Sequence, residues 1–66
     1  MTIAQKIKTA YEIGFRNGNN GEAKPYAQCS EAMQLSQGNK MGEGIKVIKA
    51  YNKGVVEGNR AMYTEI

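Results

Sequence analysis

A pattern of ten residues, Ala-Tyr-x-x-Gly-x-x-x-Gly-Asn, occurs twice in this chain, at 10–19 and again 40 positions later at 50–59. Apolar residues around both copies recur every three or four positions, as they do on one face of a helix. Gly inside a helix costs about 1 kcal/mol relative to Ala, so Gly14 and Gly54 need a compensating contact. The repeat predicts two helices that pack closely along ridges without bulky side chains, within one chain or between two.

The residues expected at this helix-packing or oligomer contact are the small and aromatic members of both copies: Ala10, Tyr11, Gly14, Phe15, Ala50, Tyr51, Gly54 and Gly58. Gly18 and Gly58 are each followed by Asn, and we favour the interpretation that these two glycines are helix C-caps. At Gly14 and Gly54, the alternatives to helix packing are a kink in the helix and close approach of the backbone to a ligand.

The first helix is expected to begin at Ile3, because Thr2 and Gln5 have the spacing of a capping box. Its end is expected at Asn17-Gly18, where Gly favours a left-handed turn.

A second, short helix is expected after a loop over 18–24 that is rich in Gly and Asn. Pro25 suits its first position, and Gly38-Asn39 closes it. The third helix is expected over about 43–59, with an extension toward Tyr63. No strand pattern competes, so the sequence predicts an all-α protein with three helices in one small domain, residues 1–66.

A chain of 66 residues supports only a small core, and the usual reinforcements are missing. Its single cysteine, Cys29, cannot form an intrachain disulfide, and the absence of His excludes a usual zinc site. We therefore expect a homo-oligomer, in which self-association supplies the missing support. Cys29 itself is expected to be a small buried apolar residue.

Catalysis is not expected, because the chain contains neither His nor Asp and its Glu residues are scattered. We expect no catalytic residues, no metal and no cofactor. No apolar run is long enough to span a membrane, and the N-terminus lacks the apolar block of a secretory signal. Together with the free thiol, these features predict a cytoplasmic protein without a membrane partner.

A net charge of +3 permits an anionic partner without requiring one. The candidate anion- or RNA-binding residues are the cations of the third helix and the polar turn after the first: Lys46, Lys49, Lys53, Arg60, Gly18, Asn19, Asn20, Gly21 and Lys24. The cations share one side of the helix and would contact phosphates, or would simply be a solvated face. The turn could hold an anion on its backbone amides or be an ordinary turn.

Four aromatic side chains, those of Tyr11, Phe15, Tyr26 and Tyr51, have two interpretations. Aromatic rings stack on bases in many RNA-binding proteins. Helical spacing more often places such residues in a core, which is the interpretation we favour here.

Two segments of the chain match parts of a known pattern: Gly14-Phe15-x-x-Gly18-x-x-Gly21 followed by Pro25-Tyr26, and Ala50-Tyr51-x-x-Gly54-Val55-x-x-Gly58. They resemble the Gly-aromatic-x-x-Gly-x-x-Gly segment, the Cys-Pro-Tyr turn and the Trp-x-x-Gly-Trp segment of the ribosome modulation factor family. Lys24 stands at the family's Cys position, and Tyr51 and Val55 stand at its two Trp positions. The resemblance implies binding to ribosomal RNA, and a part in ribosome dimerisation or translational silencing.

The leading hypothesis is a small non-enzymatic regulatory protein that occupies an anionic partner through its basic third helix. The resemblance implies the ribosome or its RNA as that partner, and a nucleotide-like ligand between subunits would use the same residues. The alternative hypothesis is an accessory inhibitor, of the kind that phages encode, which binds and blocks a host defence protein.

Overall fold

A computed structural model of the protein describes residues 2–22, 24–35 and 41–64. The described residues form three α-helices and one short 3-10 turn, with no strand among them: α1 (Ile3–Asn19), the 3-10 turn (Tyr26–Gln28), α2 (Ser30–Leu35) and α3 (Met41–Thr64). The predicted all-α class with three helices is confirmed.

The N-terminus of α1 is closed by the predicted capping box. The amide of Gln5 donates to the hydroxyl oxygen of Thr2 at 3.2 Å. In return, the amide of Thr2 donates to the side-chain oxygen of Gln5 at 2.9 Å. The helix begins at Ile3 as expected because these two bonds satisfy amides that have no partner within the helix.

Gly18 and Gly58 do not end their helices, so the C-cap interpretation is wrong for both. The left-handed residue after α1 is Gly21, with φ +74°. Its amide donates to the carbonyl of Gly18 at 3.2 Å, and the Glu22 amide donates to the carbonyl of Asn17 at 2.8 Å. This pair of bonds is a Schellman motif, and it ends α1 at Asn19, beyond the predicted Asn17-Gly18.

The two copies of the repeat lie side by side within the chain, and α1 and α3 run in the same direction. Gly14 of α1 lies against the backbones of Tyr51 and Val55. Gly18, one turn later, lies against the backbones of Val55 and Asn59. The contact therefore advances along both helices together, which defines a parallel pair.

The glycines of α3 make the same contacts in the opposite sense, with every residue number shifted by 40. Gly54 lies against the backbones of Tyr11 and Phe15, and Gly58 lies against those of Phe15 and Asn19. The contacts that α1 makes with α3 are therefore equivalent to those that α3 makes with α1. An approximate two-fold axis runs between the helices and parallel to them.

Only glycine fits at these four positions. A Cβ atom on Gly54 would lie 2.8 Å from the Phe15 amide nitrogen and would overlap the Tyr11 carbonyl oxygen. With hydrogen in place of Cβ, the glycine Cα–H points at that carbonyl, a weak but favourable contact. The ridges thus meet within one chain. The expected self-association stays a prediction, and it would need another surface.

A parallel pair requires a return connection along its length, which is about 26 Å for α1 at 1.5 Å per residue. The 3-10 turn and α2 lie on this connection. The expectation of one continuous second helix from Pro25 is wrong, because Cys29 is extended, with φ −101° and ψ 99°. The predicted end at Gly38-Asn39 lies outside the described residues. α3 is longer than expected at both ends, spanning Met41–Thr64.

The core lies where the connection covers the pair. Its buried residues come from all three helices and from the extended residue between the 3-10 turn and α2: Ala10, Ile13, Cys29, Ala32, Val47 and Tyr51. Cys29 is buried, as predicted. Ile13 is buried in the same cluster as Cys29 and Ala32, which belong to the connection.

Replacing Gly54 by Ala tests the ridge contact, with Gly44→Ala in the same helix as the control. A Cβ at Gly44 would meet nothing within 4 Å, so Gly44→Ala should stabilise the protein by about 0.5–1 kcal/mol. Gly54→Ala should destabilise it by about 1–3 kcal/mol or more, because backbone atoms must move apart. Urea unfolding followed by circular dichroism measures both. Equal stabilisation by the two substitutions would contradict the packing.

Candidate functional site

The approximate two-fold axis would make the two sides of the α1–α3 pair alike, but the described residues of the connection, 24–35, cover one side and not the other. We call the side that carries Asn17 and Tyr51 the covered side. The side that carries Tyr11 and Glu57 is the open side. Tyr51 has no exposed surface, whereas its counterpart Tyr11 is only partly buried. The counterpart of buried Ile13 is exposed Lys53.

On the covered side, Asn17 and Tyr51 form a buried hydrogen-bonded pair. The side-chain amide of Asn17 donates to the Tyr51 hydroxyl oxygen at 3.3 Å and to the sulfur of Cys29 at 3.7 Å. The Tyr51 hydroxyl donates to the backbone carbonyl of Lys24 at 2.9 Å. The ring of Tyr26 packs edge-on against Tyr51, with centroids 5.7 Å apart. Tyr51 therefore binds the connection to the helix pair. Its ring is not accessible for stacking on an RNA base.

On the open side, the same pair recurs with the helices exchanged. The Tyr11 hydroxyl donates to the carboxylate of Glu57, which stands 40 positions after Asn17. The ammonium of Lys53 lies 3.9 Å from the other carboxylate oxygen of Glu57. The ring of Phe15 lies beside Tyr11, with centroids 6.2 Å apart. Partly exposed aromatic rings of α1 and the exposed ammonium of Lys53 in α3 are thus joined through Glu57.

The two tyrosine hydroxyls of this arrangement are both held in the protonated form. The hydrogen bond to Glu57 raises the pKa of Tyr11 above its ordinary value, and desolvation and the charge of Glu57 act in the same direction. Burial raises the pKa of Tyr51, although the hydrogen bond from Asn17 partly opposes this. The two causes differ because the hydroxyl of Tyr11 is bound to the acidic side chain of Glu57, whereas that of Tyr51 is buried beside the neutral side chain of Asn17.

The cations of α3 form a row next to the aromatic side chains of α1. Lys46, Lys53 and Arg60 are seven residues apart and therefore nearly in line along the helix. Because Lys53 contacts Glu57 and Glu57 binds the hydroxyl of Tyr11, this line of cations passes beside Tyr11 on the open side. Lys49 lies further around α3, and all four cations are exposed. We call Lys46, Lys53 and Arg60 the basic row.

An open groove on α1 adjoins these groups. It has a volume of about 380 Å³ and is lined by Tyr11, Glu12, Phe15 and Arg16. The guanidinium of Arg16 donates to the carboxylate of Glu31 in α2 at 2.9 Å. The groove is therefore bordered by aromatic rings on one side and by charged groups of both signs on the other.

The predicted polar turn is not brought to this surface. Gly18 is buried against Val55, and Asn19 is a helical residue whose side chain donates to the Gly58 carbonyl. The amides of Asn20 and Gly21 donate to carbonyls of α1. They are not free for an anion, so the hydrogen bonds argue against the predicted nest of amides.

Lys24 is also separated from the basic row. Its backbone carbonyl accepts the hydrogen bond of Tyr51, which places it on the covered side. Its side chain is exposed there.

Sequence reasoning missed Asn17 and Glu57, which carry the polar contacts of the two sides. They differ in chemistry, so they do not contribute to the identities of the repeat. Their shared register of 40 was the signal that could have found them, because each lies one turn beyond a residue that faces the partner helix. Which tyrosine each would contact follows only from the parallel packing.

No cluster of three or more His, Cys, Asp or Glu side chains able to hold a metal ion occurs in the described part of the chain. Within the same residues, no helix combines the length and apolar content that crossing a bilayer requires.

Comparison of the chain with protein-family models, with curated proteins and with solved structures found no match. The candidate site is therefore defined by its geometry and chemistry alone.

Tyr51→Phe and Tyr11→Phe compare the covered and open pairs with the same change of one hydroxyl. Tyr51→Phe should lower the free energy of unfolding by about 1–2 kcal/mol, because Asn17 and the Lys24 carbonyl lose a partner in a largely buried place. Tyr11→Phe should cost clearly less, because water can reach Glu57. Urea unfolding measures both, and equal losses would contradict the assignment of covered and open sides.

Glu57→Gln tests the electrostatics of the open pair. It should lower the pKa of Tyr11 toward its ordinary value of 10.0 and leave the pKa of Tyr51 in place. A raised pKa in the folded state means that the contribution to stability is complete below about pH 10 and is lost as the pH rises through the folded-state pKa. Carbon-13 NMR of labelled tyrosine rings resolves the two titrations. An unchanged Tyr11 pKa in the variant would show that Glu57 does not hold the phenol.

Proposed function

We propose that the protein is a small, non-enzymatic RNA-binding protein that contacts its partner through the open side of the α1–α3 pair. The observation that carries this proposal is the contact of Tyr11 with Glu57 and of Glu57 with Lys53. It joins a partly exposed aromatic pair to the basic row in one surface. Aromatic rings for bases beside cations for phosphates are the combination that single-stranded nucleic acids require.

The distribution of charge supports the same conclusion. All four cations of α3 are exposed, and Lys53 keeps 70% of its side-chain surface accessible despite its ion pair. An anionic chain following the basic row would contact phosphates at residues seven apart, a rise of about 10 Å. These contacts give affinity without sequence preference.

The resemblance to ribosome modulation factors implies ribosomal RNA as the target. Residues of both resembling segments take part in the surface: Phe15 in the first, and Gly54, which lets Tyr11 and Phe15 approach α3, in the second. The regulatory role follows as part of the proposal, because a protein that covers ribosomal RNA competes with other ligands for it.

A second candidate function is an inhibitor that binds a host protein. It is favoured by three large apolar residues on the outer surface of α3: Ile45, Val56 and Tyr63, which are 51%, 53% and 67% exposed. They are 11 and 7 residues apart and therefore nearly in line, facing away from the glycine ridge. Binding through this row would depend little on salt.

Salt dependence of RNA binding tests the proposal. Fluorescence anisotropy with a short labelled single-stranded RNA should show affinity falling steeply between 50 and 200 mM salt. Lys46→Gln should weaken binding and reduce the slope of log K against log salt by about 0.7, because one phosphate contact is lost. Lys24→Gln makes the same change of charge on the covered side and should leave both quantities unchanged.

Three outcomes would contradict the proposal: no RNA binding, binding independent of salt, or equal effects of Lys46→Gln and Lys24→Gln. Circular dichroism should first establish that both variants keep the wild-type fold. Salt-independent binding of a protein partner, lost in Val56→Asn and retained in Lys46→Gln, would favour the inhibitor instead.

A further inference from the structure

The open groove on α1 carries two parallel pairs of side chains. Tyr11 and Phe15 form an aromatic pair one turn apart, and Glu12 and Arg16 form a charged pair beside it. The groove volume of about 380 Å³ lies in the range of small-ligand sites. The hydrogen bond of Tyr11 to Glu57 holds the orientation of one ring before any ligand arrives. A flat aromatic ligand could thus lie on the rings with its edge toward the charged pair.

The charges of this pair do not neutralise each other. Glu12 precedes Arg16 by four residues, which is the favourable order for an ion pair on a helix. Arg16 is instead drawn to Glu31 of α2, at 2.9 Å. Glu12 is exposed, and no hydrogen bond or ion pair occupies its carboxylate among the described residues. The bond to Glu31 uses one of the five N–H donors of the Arg16 guanidinium.

We propose that this groove binds a guanine base of single-stranded RNA, stacked on the aromatic pair, with Glu12 and Arg16 contacting its edges. The inference rests on the proposed RNA-binding function and adds the base that the surface selects. The N1–H and N2–H groups of guanine are adjacent donors and suit the two oxygens of the Glu12 carboxylate. Its O6 and N7 atoms are adjacent acceptors and suit the guanidinium of Arg16.

The other three bases fit this pair of charges less well. Adenine and cytosine place an acceptor nitrogen beside their amino group, and that nitrogen would face a carboxylate oxygen. Uracil has a single N–H between two carbonyl oxygens. Guanine alone offers two adjacent donors and, on the neighbouring edge, two adjacent acceptors. The side chains at Glu12 and Arg16 are spaced for two such edges, since four residues rise about 6 Å along a helix.

The position of the groove explains why the RNA should be single-stranded. The basic row of α3 follows the phosphates, and the groove lies across the Tyr11–Glu57 contact from it. A base must turn away from its own strand to reach the rings of α1. Unpaired bases do so readily, whereas bases in a duplex are held in the stack.

Two uridine octamers that differ only in one central base, guanine or adenine, test the selection. Wild-type protein should bind the guanine octamer at least about fivefold more tightly, the lower limit for a bidentate base contact. Glu12→Gln should abolish this preference, because the amide offers only one acceptor. Glu22→Gln, the same change of charge in the exposed segment after α1, should keep it. Fluorescence anisotropy measures the affinity of each of the three proteins for both octamers.

Titration with guanosine monophosphate and adenosine monophosphate, followed by amide NMR, examines the groove without the RNA chain. The guanine nucleotide should shift the amide signals of residues 11–16 more strongly than the adenine nucleotide, and Glu12→Gln should remove the difference. Equal shifts from the two nucleotides, together with equal affinity for the two octamers, would overturn the guanine site.

The two proposals fail in distinguishable ways. Salt-dependent binding of both octamers with equal affinity would leave the RNA-binding function standing and would eliminate guanine selection. Guanine-specific shifts at residues 11–16 without binding of either octamer would support the groove and would overturn the RNA-binding function. A preference for guanine that survives in Glu12→Gln would show that Glu12 does not select the base.

Discussion

Backbone-to-backbone contact between α1 and α3 is the constraint on which the rest of this structure depends. Four glycines, Gly14, Gly18, Gly54 and Gly58, bring each helix within reach of the carbonyl oxygens of the other. Closeness of this kind explains how two long helices hold together when the core has six buried apolar residues among those that the structure describes. Many atoms of the two backbones gain dispersion contacts that large side chains would prevent. The contact also sets the direction of the helices, and a parallel pair requires a long return connection.

The return connection turns a nearly symmetric pair into a protein with two different sides. The pair itself presents a tyrosine and a polar partner on each side, Tyr51 with Asn17 and Tyr11 with Glu57. Where the connection crosses, the tyrosine is buried and its hydroxyl is bound by a backbone carbonyl. Where nothing in the described chain crosses, the same residue type remains accessible beside cations. The composition of the two sides follows this difference, since the counterpart of Ile13 is Lys53.

The structural role and the binding role that we propose thus fall to different copies of one motif. The covered copy contributes to stability through buried polar bonds that are costly to break. The open copy carries groups whose bonds water can replace, so they remain available for a ligand at little cost to the fold. Charge strengthens the division, because the acidic Glu57 orients Tyr11 and Lys53 on the side where the basic row also lies. The proposed RNA surface and guanine groove are consequences of this division.

The sequence by itself determined the helical class, the start of α1 at its capping box and the need for close packing at Gly14 and Gly54. These follow from local physics, because the capping residues lie three positions apart and an interior glycine is unfavourable in any helix. Only the tertiary structure decided that Gly18 and Gly58 lie within the ridge, since Gly is equally suited to a helix end. It also decided which tyrosine is buried and which is open. That choice depends on the side of the helix pair along which the connection returns, and no spacing within either copy of the repeat encodes it.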